Sequence, residues 1–409
     1  MRAFLRQTSF VVSLAALLSA SLLVFPIQGQ DQLKQRPRRV GETSDPSTNK
    51  NPPANGQSEN SEEVDEGDVV RVDTKLVSVP TVITNSAGRP LVGLRRENFV
   101  VFEDGQPQSI ANFGTTEAPF EIALLLDTSG STRDDVALIR EAANAFINAL
   151  RPNDRVAITA FNSERHGNDI VATVDVLSPL TGNRTALQKA ISNLGSANGT
   201  PFYDGLDRVV RDVFRSLPDE EVRGRRAVVA LTDGVDSASE TDFGAVRARL
   251  LSAGIACYFI QVNTEDFVED RLLKDCADDG RLSLSAKQLE RYRRIFVPRA
   301  KAEDFSNFCQ MGPFQRMQTS RQLYNLARRE MNDLAQASGG QNFVAATLQD
   351  ARAAFAQVAN EIGTQYSLGY YPTNKNRDGK FRAIRVEVRG IKEKAQVRAR
   401  EGYVAPKGE

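Results

Sequence analysis

Hydrophobic side chains are spaced differently in successive stretches of the chain. Positions 10–25 are almost wholly apolar, whereas in 31–68 Leu33, Val40, Ala54 and Val64 stand nearly alone. From Val69 the pattern becomes alternating, with Val70, Val72, Lys75, Val77, Val79, Thr81 and Ile83 in the period of a half-buried strand. A turn cluster at 85–88 follows. Phe99, Val101 and Glu103 make a second alternating run, stopped by Asp104-Gly105, a strong hairpin-turn pair. A third short strand is predicted over 110–113. The same texture returns late in the chain. Tyr366, Leu368 and Tyr370 alternate, 372–379 is a turn region, Phe381, Ile384, Val386 and Val388 follow, and 394–403 reads as a last strand. Neither flank has enough strands for a closed sandwich of its own. Segments 69–117 and 365–405 are therefore expected to pair into one β-sandwich with the centre inserted between them.

The centre, 118–364, alternates strands and helices. The run 122–126 is continuously apolar, as expected of a parallel strand buried on both faces. Val136, Ile139, Ala143, Phe146, Ile147 and Leu150 then recur on one helical face, and Arg151-Pro152 ends that helix. Strands are predicted at 156–161, 170–176 (an edge), 227–231, 255–262 and 341–344, and helices at 185–194, 203–217, 243–253 and 348–362. The fold class is α/β: a doubly wound, mostly parallel sheet with right-handed crossovers. Residues 264–320 break the rhythm and read as an irregular, charged insertion. Its Arg291–Arg294 piece, like Arg223–Arg226, is read as solvated surface because acidic residues flank both.

The first thirty residues do not read as part of the fold. Arg2 and Arg6 precede the apolar run, and Gly29-Gln30 closes it, the order of a secretory signal peptide. The run of about sixteen residues is shorter than the ~20 that span a bilayer. Cleavage is expected, leaving no membrane span. Residues 31–68 cannot bury enough surface to offset their ordering entropy and are read as a disordered tether. The product is then exported: periplasmic, cell-surface or extracellular. In that setting Cys276 and Cys309, both in the insertion, are candidates for a disulfide closing about thirty residues and contributing ~3–4 kcal/mol. Cys257 lies in an apolar strand and is read as a core thiol.

Composition narrows the chemistry. Lys plus Arg and Asp plus Glu each number 52, which gives no support for nucleic-acid binding. One His, His166, excludes a His-rich metal site and is read as exposed. In a doubly wound sheet, ligands bind beyond the carboxyl ends of the strands. Three places there carry hard oxygen donors: Asp127-Thr128-Ser129-Gly130-Ser131, Gly199-Thr200-Pro201 and Thr232-Asp233-Gly234. Asp127, Ser129, Ser131, Thr200 and Asp233 together suit Mg²⁺ and also accommodate Ca²⁺ or Mn²⁺. Hydroxyls are neutral, so such a set leaves residual positive charge and an open position, which a carboxylate from a partner would fill. Helix capping by Ser131 explains the first string but not Thr200 and Asp233. Asp236 is read as a solvated loop residue, with a supporting acceptor role behind Asp233 as the alternative, and Asp204 as the start of a helix.

These residues resemble the von Willebrand factor A domain, whose metal-ion-dependent adhesion site has the pattern Asp-x-Ser-x-Ser, a distant Thr and a distant Asp. Asp127, Ser129, Ser131, Thr200 and Asp233 match it in order and in loop position. The stretch 70–405 also resembles the secreted von Willebrand factor A-related proteins of acidobacteria. The resemblance implies a non-enzymatic binding or adhesion protein that engages an Asp or Glu of a protein partner through a shared divalent ion. Two other readings stay open: a metal-dependent hydrolase or phosphotransferase on the same loops, and an envelope scaffold in which the metal only stabilises the fold.

Overall fold

The computed structural model describes residues 76–129, 136–167, 169–216, 225–266, 268–269 and 284–408. The signal and tether segments, Ser131 and Cys276 lie outside them.

The N-terminal flank supplies β1 (Val77–Asn85), β2 (Phe99–Glu103), β3 (Gln106–Gln108) and β4 (Ile110–Gly114). Asp104 and Gly105 both take positive φ, 47° and 82°, which lets a two-residue turn join β2 to β3. The centre runs β5 (Glu121–Leu126), α1 (Val136–Ala149), β6 (Arg155–His166), β7 (Asp169–Thr181), α2 (Arg184–Ser192), α3 (Phe202–Arg208) and β8 (Arg226–Thr232). It continues through α4 (Phe243–Ala253), β9 (Ala256–Val262), α5 (Ala286–Phe296), α6 (Pro313–Ser338), β10 (Gln341–Ala345) and α7 (Ala351–Thr364). The C-terminal flank adds β11 (Tyr366–Tyr370), β12 (Phe381–Val388), β13 (Ala395–Ala399) and β14 (Gly402–Val404).

The central sheet has six strands in the order β10-β9-β8-β5-β6-β7. All its pairings are parallel except β6 with β7. Every residue of β5, β8 and β9 is buried, because helices cover both faces. One face packs Phe146 of α1, Leu187 of α2 and Phe355 of α7. The other packs Phe202 and Leu206 of α3, Leu250 of α4 and Leu334 of α6. This is the doubly wound α/β class read from the sequence.

The flanks form two further four-stranded sheets, β13-β1-β11-β4 and β14-β12-β2-β3. Each draws strands from both flanks: Val79 of β1 lies opposite Leu368 of β11, and Val101 of β2 opposite Val386 of β12. The two sheets share one core of Val79, Val101, Tyr366, Leu368, Tyr370 and Ile384. Arg400 fastens this layer to the centre. It is buried, and its guanidinium donates to the carbonyls of Ser78 (2.8 Å), Gly402 and, at the end of α4, Leu251.

Two sequence readings need correction. Arg225 and Arg226 are not solvated surface. Arg225 is 1% exposed, donates to the Ile362 carbonyl and lies 4.5 Å from the Phe120 ring centroid. Arg226 pairs with buried Glu121 at 2.7 Å. Their stems and planar heads pack against aromatic rings, which charge counting does not register. The stretch 264–320 is not irregular throughout either. It contains α5, opened by a capping box in which Ser285 and Gln288 bond reciprocally, and the start of the 26-residue α6. Pro313 starts α6 and Gly339, at φ 83°, ends it. Leu289, Tyr292, Phe305, Phe308, Leu323 and Tyr324 give this region its own small core.

Candidate functional site

The site residues sit where three loops leave the sheet. Asp127 follows β5 directly, and its N–H donates to the Leu231 carbonyl of β8, so the first loop is held against the second strand. Asp127 is 1% exposed. Its Oδ1 accepts from the Ser129 N–H at 2.9 Å and its Oδ2 from the Thr232 hydroxyl at 2.6 Å. Ser129 is buried beside it. Thr128 points the other way and ties the loop to its neighbours. Its hydroxyl donates to the Phe161 carbonyl, and its own carbonyl accepts from the Ala197 N–H.

Asp233 follows β8 and is 3% exposed. Its Oδ1 accepts from the Val235 N–H at 3.0 Å and its Oδ2 from the Thr264 hydroxyl at 2.7 Å. Thr200 is buried between them in sequence, and its loop is stitched to the Asp233 loop: the Thr200 N–H donates to Ser237 Oγ, and the Ser237 N–H to the Thr200 carbonyl. The structure thus brings Asp127, Ser129, Thr200 and Asp233 to one end of the sheet. Ser131 lies outside the described residues.

Two buried carboxylates close together repel. Burial first, and the Asp233 charge second, push the Asp127 carboxyl up to about 7, against hydrogen bonds from Ser129 and Thr232 that pull it down. Among the described residues no group of three or more His, Cys, Asp or Glu is gathered to hold a metal. The donor set is two carboxylates with hydroxyls. That chemistry fits a hard divalent cation: it supplies oxygens only, and a cation between the two acids would offset their repulsion.

Asp236 is a further correction. It is buried, not solvated, and accepts from the Tyr203 N–H at 3.2 Å and from the Ser239 hydroxyl at 2.5 Å. It thereby ties the Asp233 loop to the start of α3. Burial raises its carboxyl above the ordinary range. Asp204 does more than begin a helix, because its carboxylate accepts from the N–H groups of Glu240 and Thr241. Arg291 is also not solvated surface. It reaches both Glu330 oxygens at 2.7 Å and lies 4.8 Å from the Tyr203 ring centroid, while the Tyr203 hydroxyl donates to Glu330 at 2.6 Å. These groups line a cleft of about 820 Å³ between the start of α4 and α5. His166 is exposed, at the end of β6 rather than in a loop. Cys309 is disulfide-bonded, Cys257 is a buried free thiol, and Cys276 is outside the described residues.

Three residues in contact with the acids were not singled out from the sequence. Thr232 stood inside the quoted Thr-Asp-Gly string, so its signal was present. Thr264 reaches Asp233 because it follows β9, the strand paired with β8, whereas Tyr324 carries no signal and meets Thr264 only through the packing of α6.

Fold and loops together define a doubly wound α/β domain with its polar constellation at the carboxyl ends of β5 and β8. Residues 121–292 match the family model of the von Willebrand factor type A domain, and this part of the chain is such a domain. Domains of this family are typically non-enzymatic modules of protein interaction and adhesion. No curated protein sequence matches the chain. Among solved structures it is similar to a von Willebrand factor type A protein from Catenulispora acidiphila, with 12% identity, 82% of this chain and 75% of that one covered, and a TM-score of 0.36. It is also similar to proximal thread matrix protein 1 of the mussel byssus, with 13% identity, 59% of this chain covered and a TM-score of 0.36; the chain spans 47% of that protein. An aerotolerance-related membrane protein from Bacteroides fragilis shows 15% identity, 59% and 98% coverage, and a TM-score of 0.32.

Proposed function

We propose that this is an exported, non-enzymatic binding protein that recognises an acidic side chain of a protein partner through a divalent cation. Asp127, Ser129, Ser131, Thr200 and Asp233 would hold the ion, Mg²⁺ in the first instance and also Ca²⁺ or Mn²⁺. The ion supplies a Lewis-acidic position that accepts a partner Asp or Glu. The observation that carries this reading is the juxtaposition of two buried carboxylates, one raised to about 7 by burial and by the other's charge. The chain's own residues do the positioning: backbone N–H groups of Ser129 and Val235 orient the two acids, and Ser237 holds the Thr200 loop to them. The flanking sandwich presents the domain in the periplasm, at the cell surface or outside the cell.

The test is calorimetric titration of Mg²⁺ into the folded chain and into Asp127→Ala and Asp233→Ala. Binding to the parent and loss in both variants, with the circular dichroism spectrum kept, is the expected result. Unchanged Mg²⁺ affinity in both variants sinks the metal assignment. A crosslinking pull-down from the exported fraction, with and without chelator, then tests the partner. Capture that survives chelation rejects recognition through the ion.

A further inference from the structure

The second oxygen of Asp233 is held by a chain of hydroxyls that begins on α6. Thr264 donates to Asp233 Oδ2 at 2.7 Å, and the Thr264 oxygen lies 2.7 Å from the Tyr324 hydroxyl. A threonine hydroxyl has one hydrogen. Since Thr264 gives it to Asp233, Tyr324 must be the donor of the second bond. The order is Tyr324 to Thr264 to Asp233, and both relay residues are buried, at 5% and 6% exposure. Tyr324 belongs to α6. Its depth is fixed by Leu323 and Ala327, which share the insertion's core with Val235 from the site loop itself. Seven residues further along α6, Met331 packs beneath Gly234. Gly234 and Val235, the two residues after Asp233, are therefore both packed against α6.

We infer that Tyr324 and Thr264 are positioning residues for the cation: they fix the rotamer of Asp233 by holding its Oδ2, while its Oδ1 accepts from the Val235 N–H. This rests on the reading of Asp233 as part of a cation site. Groups that orient a metal ligand without touching the ion typically change affinity about 10–100-fold when removed. The relay is neutral, so it orients the carboxylate without adding a cation that would compete with the ion.

The experiment is calorimetric Mg²⁺ titration of the full chain as Tyr324→Phe, Thr264→Val and Thr264→Ser, with melting temperatures measured in chelator. Tyr324→Phe keeps the ring and is expected to bind Mg²⁺ about tenfold more weakly. Thr264→Val is expected to lose at least as much, and Thr264→Ser, which keeps the hydroxyl, to bind within about twofold of the parent. A purely structural role would lower the melting temperature yet leave the affinity of the folded protein unchanged. Parent-like affinity in both Tyr324→Phe and Thr264→Val overturns the inference while the metal reading stands. A parent chain that binds no Mg²⁺ removes the metal reading, and the inference with it.

Discussion

Met331 lies directly under Gly234: a β-carbon built on Gly234 would stand 2.5 Å from Met331 Cε. Gly234 also has φ 76°, a backbone region that costs other residues roughly 1–2 kcal/mol. Gly234→Ala is therefore expected to destabilise the protein by roughly 2–4 kcal/mol, from strain and overpacking together. Met331→Ala is expected to cost about 2–5 kcal/mol through the cavity it leaves. The double variant should cost less than the sum, because the smaller residue at 331 makes room for the new methyl. Urea denaturation of the four proteins measures this; strict additivity would refute the contact.

Arg400 donates into three carbonyls without a carboxylate partner among those bonds. Arg400→Met keeps much of the stem but leaves those carbonyls short of a donor. It is expected to cost roughly 3 kcal/mol or more, since bonds to charged groups contribute about 1.5–3 kcal/mol each. Lysine cannot reproduce the fork, so Arg400→Lys should rescue little. Thermal melts decide it, and a loss below about 1 kcal/mol would count against the rivet.

In the metal-free protein, Asp127 has a folded-state carboxyl at about 7 against an ordinary value of 3.8. The unfolded chain releases this proton more easily. Its contribution to stability is fully present below pH 3.8 and is lost as the pH rises through about 7. Melting temperatures in chelator should therefore fall over that window relative to Asp127→Asn, which keeps no titrating group there. Parallel pH profiles for the two proteins would contradict the assignment.

Burial pushes the Cys257 thiol up to about 12, so at pH 8 almost no thiolate is available to react. Iodoacetamide is expected to leave Cys257 unmodified in the native protein and to label it fully in denaturant. Mass spectrometry of the peptide containing it reads the result, and rapid native labelling would place the thiol elsewhere.

The α/β class, the paired flanks and the loop-end acids were legible because each leaves a local mark. Leu124 to Leu126 mark a strand covered on both sides, Asp104-Gly105 a hairpin, and Asp127 and Asp233 the ends of apolar strands. Long-range partnership left no such mark. Arg225, Arg226 and Arg291 carry the same charge as surface arginines, and only the fold sets Phe120, Phe214 and Tyr203 against them. The polar composition of α6 likewise hides its inward stripe: Leu323, Ala327, Met331 and Leu334 are spaced correctly, but Asn, Arg, Glu and Asp dominate between them. Tyr324 could not be tied to Asp233 from the sequence, because nothing near either residue specifies where α6 packs.

The interleaved sandwich also sets an order of events during synthesis. β1 lies between β11 and β13, and Val77 pairs with Tyr370, so both hydrogen-bonding edges of β1 await strands made roughly 290 residues later. At about 5–20 residues per second, that interval lasts about 15–60 s. Through it the first flank exposes alternating valines and unpaired backbone, the combination most prone to pair with a neighbouring chain. The central domain has its full complement of strands sooner and can fold first. It then brings the two flanks together as β11 emerges beside the waiting β1.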